Sequence, residues 1–329
     1  MRSQPTSDDA FLSRPQLYGG FGGFPRGAPS TEGKVFYNRS QRMRMNMVSV
    51  CESLFIPWLF FIFVYASTSF AAHYRRPWLT WILDAVALVA VLVSGGFALR
   101  AMRKKVLPGE RPEPNWLMFL FLTMLVGWIC GVVFGNLNYW TNLQPYYDYN
   151  NLNEYSDVTP ATVRGQQLMD AGRIRFTNAT RLDLRKSMGF KNLDTFCVAP
   201  ISITGTSAGT LLPLDSYDFW AVGLGCCSSN SDDFHCGEYN NPKAHAGLRM
   251  LRDDQRAFYR LAVDQAAAAY SIKATHPLFF YWTEDPTVEM DTFQAEGYKY
   301  FMLGMILHFG FQLLCCGLAL LGFSKMWRQ

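Results

Sequence analysis

Four long apolar segments constrain the fold of this chain more than any other feature of its sequence. They cover residues 53–72, 78–99, 116–137 and 300–323. Each is long enough to cross a hydrocarbon core of roughly 30 Å as a helix. Charged residues make up only 17% of the chain, against roughly 25% in an average soluble domain. The sequence therefore predicts an integral membrane protein with four transmembrane helices, and it excludes a fully soluble enzyme.

Basic residues are distributed unevenly around these predicted helices. Eleven of them flank the helix ends on the side that holds both chain termini, whereas the connection 73–77 supplies only Arg75 and Arg76. The eleven are Lys34, Arg39, Arg42, Arg44, Arg100, Arg103, Lys104, Lys105, Arg111, Lys325 and Arg328. Because Lys and Arg near helix ends favour the cytoplasmic side, both termini are predicted to be cytoplasmic. The long segment 138–299 is then extracytoplasmic, at the plasma membrane or in the secretory pathway.

The terminal segments 1–50 and 324–329 are predicted to be cytoplasmic tails. The first is rich in Gly, Ser and Pro, and such a composition cannot bury enough apolar surface to become ordered. It also lacks the basic start, short apolar run and cleavage site of a secretory signal peptide. We therefore expect a disordered tail, followed by the first three membrane helices within 51–137.

The segment 138–299, at roughly 160 residues, is long enough to fold around its own core. Aromatic and β-branched runs predict strands at 173–177, 195–203 and 217–226. Prolines near helix starts and apolar spacing predict helices at 159–170 and 241–272. The aromatic run 278–282 is expected to pack against the membrane surface. The whole chain is thus predicted to be an α-helical membrane protein with an α+β domain inserted between the third and fourth helices.

Four of the eight cysteines lie in this inserted domain, and they are Cys197, Cys226, Cys227 and Cys236. An even number of cysteines in an oxidising compartment predicts two disulfides. Neighbouring side chains in an extended chain point apart, so Cys226 and Cys227 are not expected to bond each other. Each is expected to pair with Cys197 or Cys236, and both arrangements remain open. The inserted domain is therefore predicted to be disulfide-bonded.

Two further features of the inserted domain bear on its chemistry. Asn178-Ala179-Thr180 is an N-glycosylation acceptor sequence, which fits the extracytoplasmic placement. His235 beside Cys236 suggests a zinc site with the earlier cysteine pair, but the spacing differs from the two to four residues that usually separate paired zinc ligands. We therefore expect disulfides and no metal or cofactor.

Two kinds of residue stand out within the predicted membrane helices. Gly127, Gly131 and Gly135 recur at intervals of four, which places them on one helix face where another helix can approach closely. Asp84 and His308 are ionisable residues well inside the apolar segments, where charge is costly. They lie at similar depths, so we expect them to pair in a structural hydrogen bond. A channel or transporter that uses both residues is the alternative interpretation.

The sequence Gly205-Thr206-Ser207-Ala208-Gly209 resembles the nucleophile elbow of patatin-like lipases. An elbow needs a strand before the serine and a helix that begins at it. Residues 198–204 suit the strand, but Pro213 would interrupt the helix. We therefore expect a turn between strands, and a lumenal serine hydrolase at Ser207 is a remote alternative.

The four helices, the short first connection, the large second one and the Cys226-Cys227 pair together resemble the tetraspanin family. The resemblance implies a membrane scaffold that gathers other proteins through its helices and outer domain, without catalysis. We accordingly predict a scaffold or receptor-like protein whose outer domain binds a protein partner or an extracellular ligand, with membrane lipids as further partners. The near balance of 30 basic and 26 acidic residues argues against nucleic acid as a partner.

Overall fold

The structure is a computed structural model that describes residues 47–104, 114–205, 210–228 and 233–326. Almost all of the predicted tail 1–50, and residues 327–329, lie outside the described residues. Four helices are long and apolar enough to cross a membrane. They are α1 (Met47–Ser69), α3 (Pro77–Lys104), α4 (Pro114–Asn138) and α7 (Pro286–Met326), and the short α2 (Ala71–Arg75) joins α1 to α3.

Two of the four helices extend well beyond the apolar segments. Helix α4 continues through a π-helical segment, Tyr139–Leu143, into α5 (Gln144–Asn150). Helix α7 has 41 residues, which at 1.5 Å per residue span about 60 Å, roughly twice the hydrocarbon thickness. The predicted fourth span began at residue 300, but the helix begins at Pro286. Hydropathy detects only the part of each helix that is apolar enough for lipid.

The remaining chain forms an eight-stranded mixed sheet with one long helix, and we refer to residues 151–285 as the sheet domain. The strands are β1 (Asn153–Val158), β2 (Ala171–Phe176), β3 (Thr180–Leu182), β4 (Met188–Asn192), β5 (Asp194–Ile203), β6 (Phe219–Leu224), β7 (Ala246–Arg249) and β8 (Leu278–Thr283). Their order is β1-β2-β7-β8-β6-β5-β3, and β4 also pairs with β5. Strand β1 runs parallel to β2 and β6 runs parallel to β8, while the other pairs are antiparallel.

The α+β character of this domain and its place between the third and fourth long helices agree with the sequence prediction. Strands β2, β5 and β6 lie where aromatic and β-branched runs predicted them. The predicted helix 241–272 is wrong at its start, because β7 occupies part of it and α6 covers only Asp253–Tyr270. The predicted helix 159–170 is reduced to one 3₁₀ turn, Gly165–Leu168.

Both faces of the sheet are covered. One face buries Phe176, Phe219, Phe280 and Trp282 beneath the loops that precede β2 and follow β6. The other face packs against α6 and, near β7, against the start of α7 and the end of α5. Segment 278–282, expected at the membrane surface, is instead the inner strand β8. A strand covered on both faces reads as a continuous apolar run, without alternation.

Candidate ligand-binding site

The three glycines of α4 bring this helix against α1. A β carbon at Gly131 would lie 2.8 Å from Val64 Cγ1, and one at Gly127 would lie 3.3 Å from the Pro57 carbonyl oxygen. The Thr68 side chain occupies the space beside Gly135. Real β carbons do not approach other atoms as closely as at Gly131, so α1 and α4 pack this tightly only because glycine has no side chain. The glycine face thus contacts another helix of the same chain.

Helix α7 binds α1 by a different means, through side chains that donate hydrogen bonds to backbone carbonyls. Trp58 Nε1 donates to Met305 O at 3.1 Å, and Tyr65 Oη donates to Tyr300 O at 3.0 Å. From the other helix, Gln312 Nε2 donates to Ser53 O at 2.7 Å. Helix α1 is therefore the common partner of α4 and α7.

A cleft of about 810 Å³ remains between α4 and α7, with Phe61 and Tyr65 of α1 also lining it. Its walls are largely apolar, and include Val126, Phe134, Leu303, Leu307 and Phe311. Polar residues gather near the sheet domain, and we call them the polar end of the cleft. They are Asn138, Thr141, Asn142 and Glu296. No Lys or Arg is among the lining residues, so an anionic group would find no cationic partner there.

The π-helical segment lies at the polar end. Asn138 Nδ2 donates to the Gly297 carbonyl oxygen of α7 at 3.1 Å, and Asn142 Nδ2 donates to Asn138 Oδ1 at 2.9 Å. Gly297 permits this contact, since a β carbon there would lie 2.6 Å from Leu143 Cδ2. These contacts join α4 to α7 at one end of the cleft. Single π-helical turns within α-helices occur frequently at functional sites.

His308 of α7 lines the same cleft. It is only 7% exposed, and its ring stacks on Phe61 with centroids 4.0 Å apart and planes within 3°. Its Nε2 would lie 3.6 Å from a β carbon at Gly127. Among the described residues, neither ring nitrogen has a hydrogen-bond partner.

The predicted hydrogen bond between His308 and Asp84 is wrong. Asp84, 3% exposed on α3, accepts a hydrogen bond at Oδ1 from Ser67 Oγ at 3.2 Å. Its backbone carbonyl accepts another from Trp128 Nε1 at 3.1 Å. Asp84 and His308 thus each contact α1 and α4, but at different residues of those helices. Their similar depth along two helices does not bring their side chains together.

The sequence carried a signal for this cleft that our reading missed. Four polar or small residues of α7 follow one another at intervals of four, which aligns them along one side of a helix. They are Glu296, Tyr300, Gly304 and His308. All four line the cleft, and Gly304 makes room for the Tyr65 ring. Of these four residues, only His308 was singled out from the sequence, as an ionisable residue within an apolar segment.

The four cysteines of the sheet domain lie together. Cys197 Sγ is at disulfide distance from Cys227 Sγ, and Cys226 Sγ is at disulfide distance from Cys236 Sγ. This is one of the two arrangements that the sequence left open. Three of the sulfur atoms lie within 4.8 Å of one another. Sulfurs joined in disulfides are not the thiolates that zinc requires, so the arrangement favours disulfides over a metal site.

The other predicted site residues are spread over the sheet domain. Asn178 is exposed in the turn between β2 and β3. Ser207 lies outside the described residues. On either side of it, Gly205 N donates to Thr210 O at 2.8 Å and Leu212 N donates to Ile203 O at 2.9 Å. Residues 210–218 form no helix, so the flanking chain has the geometry of a turn.

Asp218 is a buried carboxylate that sequence reasoning did not single out. It is 4% exposed and accepts hydrogen bonds from Ser216 Oγ at 2.7 Å and from the backbone N–H groups of Gly165, Thr275 and His276. Burial acts to raise the pKa of Asp218, but these hydrogen bonds outweigh it and hold the pKa below its ordinary value. An ionised, fully bonded carboxylate of this kind anchors loops and is unsuited to donating protons.

The cleft therefore combines volume and apolar walls with a polar end and with a histidine whose ring nitrogens have no partner among the described residues. Comparison with known proteins adds no assignment, because no protein-family model, curated protein or solved structure matches this chain.

Proposed function

We propose that this chain is a membrane receptor that binds a neutral, lipid-like ligand in the cleft between α4 and α7. The observation that carries the proposal is the cleft itself, with a volume of about 810 Å³. Small-molecule sites usually enclose roughly 300–1,000 Å³ and combine apolar walls with a few polar groups. The apolar walls suit a hydrocarbon body, and the polar end suits a hydroxyl-bearing headgroup.

The charge of the polar end selects a neutral headgroup. Glu296 contributes a carboxylate, and Lys299 forms an ion pair with it at 3.0 Å from outside the lining. A fatty acid or phospholipid phosphate would meet this carboxylate, and the nearby Lys299 is already paired with Glu296. An alcohol can donate a hydrogen bond to Glu296 or accept one from an amide.

The same two helices connect the cleft to the sheet domain. Tyr149 of α5 packs with Leu248 of β7 and with Met290 of α7, and Tyr149 Oη donates to Arg249 O at 2.8 Å. Arg175 Nη2 of β2 contacts Asp285 Oδ1, just before α7, at 2.8 Å. A ligand that shifts α4 relative to α7 would thus also shift what the sheet domain presents. The basic residues around the helix ends support an extracytoplasmic sheet domain, in the plasma membrane or the secretory pathway.

The proposal is tested by photolabelling the full chain in lipid nanodiscs with a diazirine-bearing hexadecanol. Labelled peptides should come from α4 and α7. Leu303→Trp, which fills the cleft, should lower labelling about tenfold, which corresponds to roughly 1.4 kcal/mol in affinity. Ile306→Trp is the control, because Ile306 lies on the same helix, is 69% exposed and does not line the cleft. Equal labelling of all four long helices, unchanged by Leu303→Trp, would refute the proposal.

A protein-docking role for the sheet domain is the second candidate, as the tetraspanin resemblance implies. It is favoured by Leu193 in the one-residue turn between β4 and β5. Leu193 is 98% exposed, with a φ of 61° that is uncommon for a residue with a side chain. An apolar side chain held at a hairpin tip in this way is suited to insertion into another protein. Leu193→Asp should then release a partner that copurifies with the tagged full chain, and retention of that partner would count against the role.

The remaining alternatives have less support. Conduction through Asp84 and His308 lacks the contact that the sequence suggested, so Asp84→Asn should leave ion flux in liposomes unchanged. Labelling of Ser207 by a fluorophosphonate probe would instead revive the hydrolase interpretation.

A further inference from the structure

We propose that the free edge of β4 binds an extended segment of a partner protein in which apolar and acidic residues alternate, and that this segment adds to the sheet as a further strand. The inference rests on the protein-docking role of the sheet domain, the second candidate function, and it adds the chemistry of the partner. It does not depend on a ligand in the cleft.

The first step is that β4 is an open edge strand. It pairs with β5 along Met188–Asn192 and with no other strand of the described sheet. Its register with β5 runs over all five residues without a shift. Apart from this pairing, its backbone groups have no backbone partner among the described residues. The outer side of such a strand presents N–H and C=O groups that can pair with another extended chain.

The second step is that the other edge strands are protected. Strand β1, at the far edge, has two register shifts relative to β2, and Asp157 within it has a φ of 55°. Irregularities of this kind prevent pairing at a sheet edge. Strand β3 has only three residues, and Arg181 Nη1 donates to the carbonyl oxygens of Thr180 and Asn178 at 2.7 and 2.8 Å. Among the described strands, β4 is therefore the regular edge that is left open.

The third step is the apolar flank that α6 provides on one face of this edge. Met188 and Phe190 of β4 pack on the core beneath α6. The Phe258 ring of α6 stacks on Phe190, with centroids 6.4 Å apart and planes within 16°. These three side chains are only half-buried, and Leu261, three residues further along α6, is 46% exposed. A strand added beside β4 would place every second side chain next to this flank, so we expect those residues to be apolar.

The fourth step is the charge on the opposite face. Lys191 follows Phe190 in the strand, so its side chain lies on the face away from α6. It is exposed, and so is Arg185 in the turn before β4. Neither has an ion-pair partner within the described part of the chain. Opposite charges on neighbouring strands attract, whereas two copies of β4 would add their positive charges at one interface. The remaining side chains of the partner segment are therefore expected to be acidic.

The test uses a fluorescent peptide, Thr-Glu-Val-Glu-Val-Glu-Thr, added to the full chain in nanodiscs of neutral phospholipid. Fluorescence anisotropy should show that this peptide binds about tenfold more tightly than a version with lysine in place of glutamate, because an attractive pair across the strands becomes a repulsive one. Two further versions are N-methylated at alternate amides. Alternate N–H groups of a strand point the same way, so one version should lose binding and the other should keep it.

Lys191→Glu should reverse the preference, so that the lysine peptide binds more tightly than the glutamate peptide. Lys243→Glu is the matched control, because Lys243 is also exposed and the change in charge is the same. Lys243 precedes β7, which pairs with β2 and β8 and not with β5. This variant should keep the preference of wild type. Both positions are exposed, so both variants should fold.

Three results would each overturn the inference: no binding of the glutamate peptide by wild type, equal binding of the two methylated versions, or a preference that Lys191→Glu leaves unchanged. Disulfide cross-linking between copies at Asn192→Cys, undiminished by the peptide, would assign the edge to a second copy and would overturn it as well. If Leu193→Asp releases a copurifying partner but the acidic peptide does not bind, the docking role stands and strand addition fails. None of these results changes the photolabelling of the cleft.

Discussion

The sheet domain and the long helices are held together by opposite means. In the sheet domain, large apolar side chains are removed from solvent, and Trp220 and Phe280 are fully buried. On the long helices many large apolar side chains point outwards, as Ile306 and Leu314 do at 69% and 62% exposure. Between helices, the close contacts come from glycines and from side-chain hydrogen bonds to carbonyls. Burial of large side chains therefore stabilises the sheet domain, whereas glycines, which have no side chain, allow the long helices to pack closely.

The physical reason is the medium that each region requires. Burial from water drives the sheet domain to fold. The four long helices are apolar enough to cross a membrane, and lipid, which is as apolar as leucine, would give no such drive between them. Packing in the bundle then depends on how closely backbones approach. A polar atom without a partner, as at His308, would also cost more free energy in hydrocarbon than in water, because no water can reach it there.

The largest effect should come from truncating the core of the sheet domain. Trp220→Ala removes a fully buried side chain, together with the hydrogen bond from Trp220 Nε1 to Tyr217 O at 2.7 Å. We expect it to lower the free energy of unfolding of the sheet domain by about 3–5 kcal/mol. Pulse proteolysis of the full chain in detergent over a urea series would measure the loss. Ile306→Ala should change stability by less than about 0.5 kcal/mol, and a comparable loss from both variants would break the contrast.

The opposite substitution should disturb the helices. Gly131→Leu places side-chain atoms where Val64 already lies, and overpacking of this kind costs about 1–3 kcal/mol. We expect a lower midpoint temperature for retention of the monodisperse peak in size-exclusion chromatography. The matched control is Gly317→Leu on α7, where nothing lies within 4 Å of an added β carbon. Similar midpoints for the two variants would mean that the glycine face does not determine the packing.

A third prediction concerns the pH dependence of the sheet domain. The folded pKa of Asp218 is below its ordinary value, because its hydrogen bonds outweigh the effect of burial. Its contribution is therefore fully present above the unfolded pKa, about 3.9, and is lost as the pH falls through the lower folded pKa. Asp218→Asn should destabilise the domain by about 1–3 kcal/mol at neutral pH, and the difference from wild type should shrink in acid. Chemical unfolding from pH 7 to pH 3 would measure it.

Asp215→Asn is the control for this series, because the Asp215 side chain is 93% exposed. It should follow wild type at every pH. A constant difference between Asp218→Asn and wild type across the whole range would show that shape, and not charge, accounts for the loss.

The smallest effect is expected at the ion pair between the sheet and the start of α7. Arg175 and Asp285 are partly exposed, at 40% and 42% for their side chains, and exposed pairs contribute roughly 0.2–1 kcal/mol. Arg175→Gln should therefore lower stability by less than about 1 kcal/mol, and added salt should reduce the difference. Thermal unfolding at low and high salt would check this. A loss of stability larger than that caused by Gly131→Leu would mean that this ion pair is the main contact between the sheet domain and the long helices.

Local sequence patterns predicted the elements that consist of a continuous run of similar residues. The apolar segments located the four long helices, and aromatic runs located β2, β5 and β6. Prediction failed where a short segment depends on distant partners. Strand β7 lies inside a stretch with helical spacing, because β2 and β8 bind it on both sides. The extension of α7 back to Pro286 was missed because its polar first turns are stabilised by packing on the sheet domain.

The sequence by itself therefore determined the class of protein, four apolar helices around an inserted α+β domain, since hydropathy and strand patterns are properties of neighbouring residues. Only the tertiary structure decided which cysteines meet, that Asp84 bonds Ser67 and not His308, and that α4 and α7 leave a cleft between them. These outcomes depend on helix rotation and on contacts between residues far apart in the chain, which no local pattern encodes. The imidazole of His308 is the clearest example. The sequence shows a histidine within an apolar segment, but only the tertiary structure shows that its ring nitrogens have no partner among the described residues.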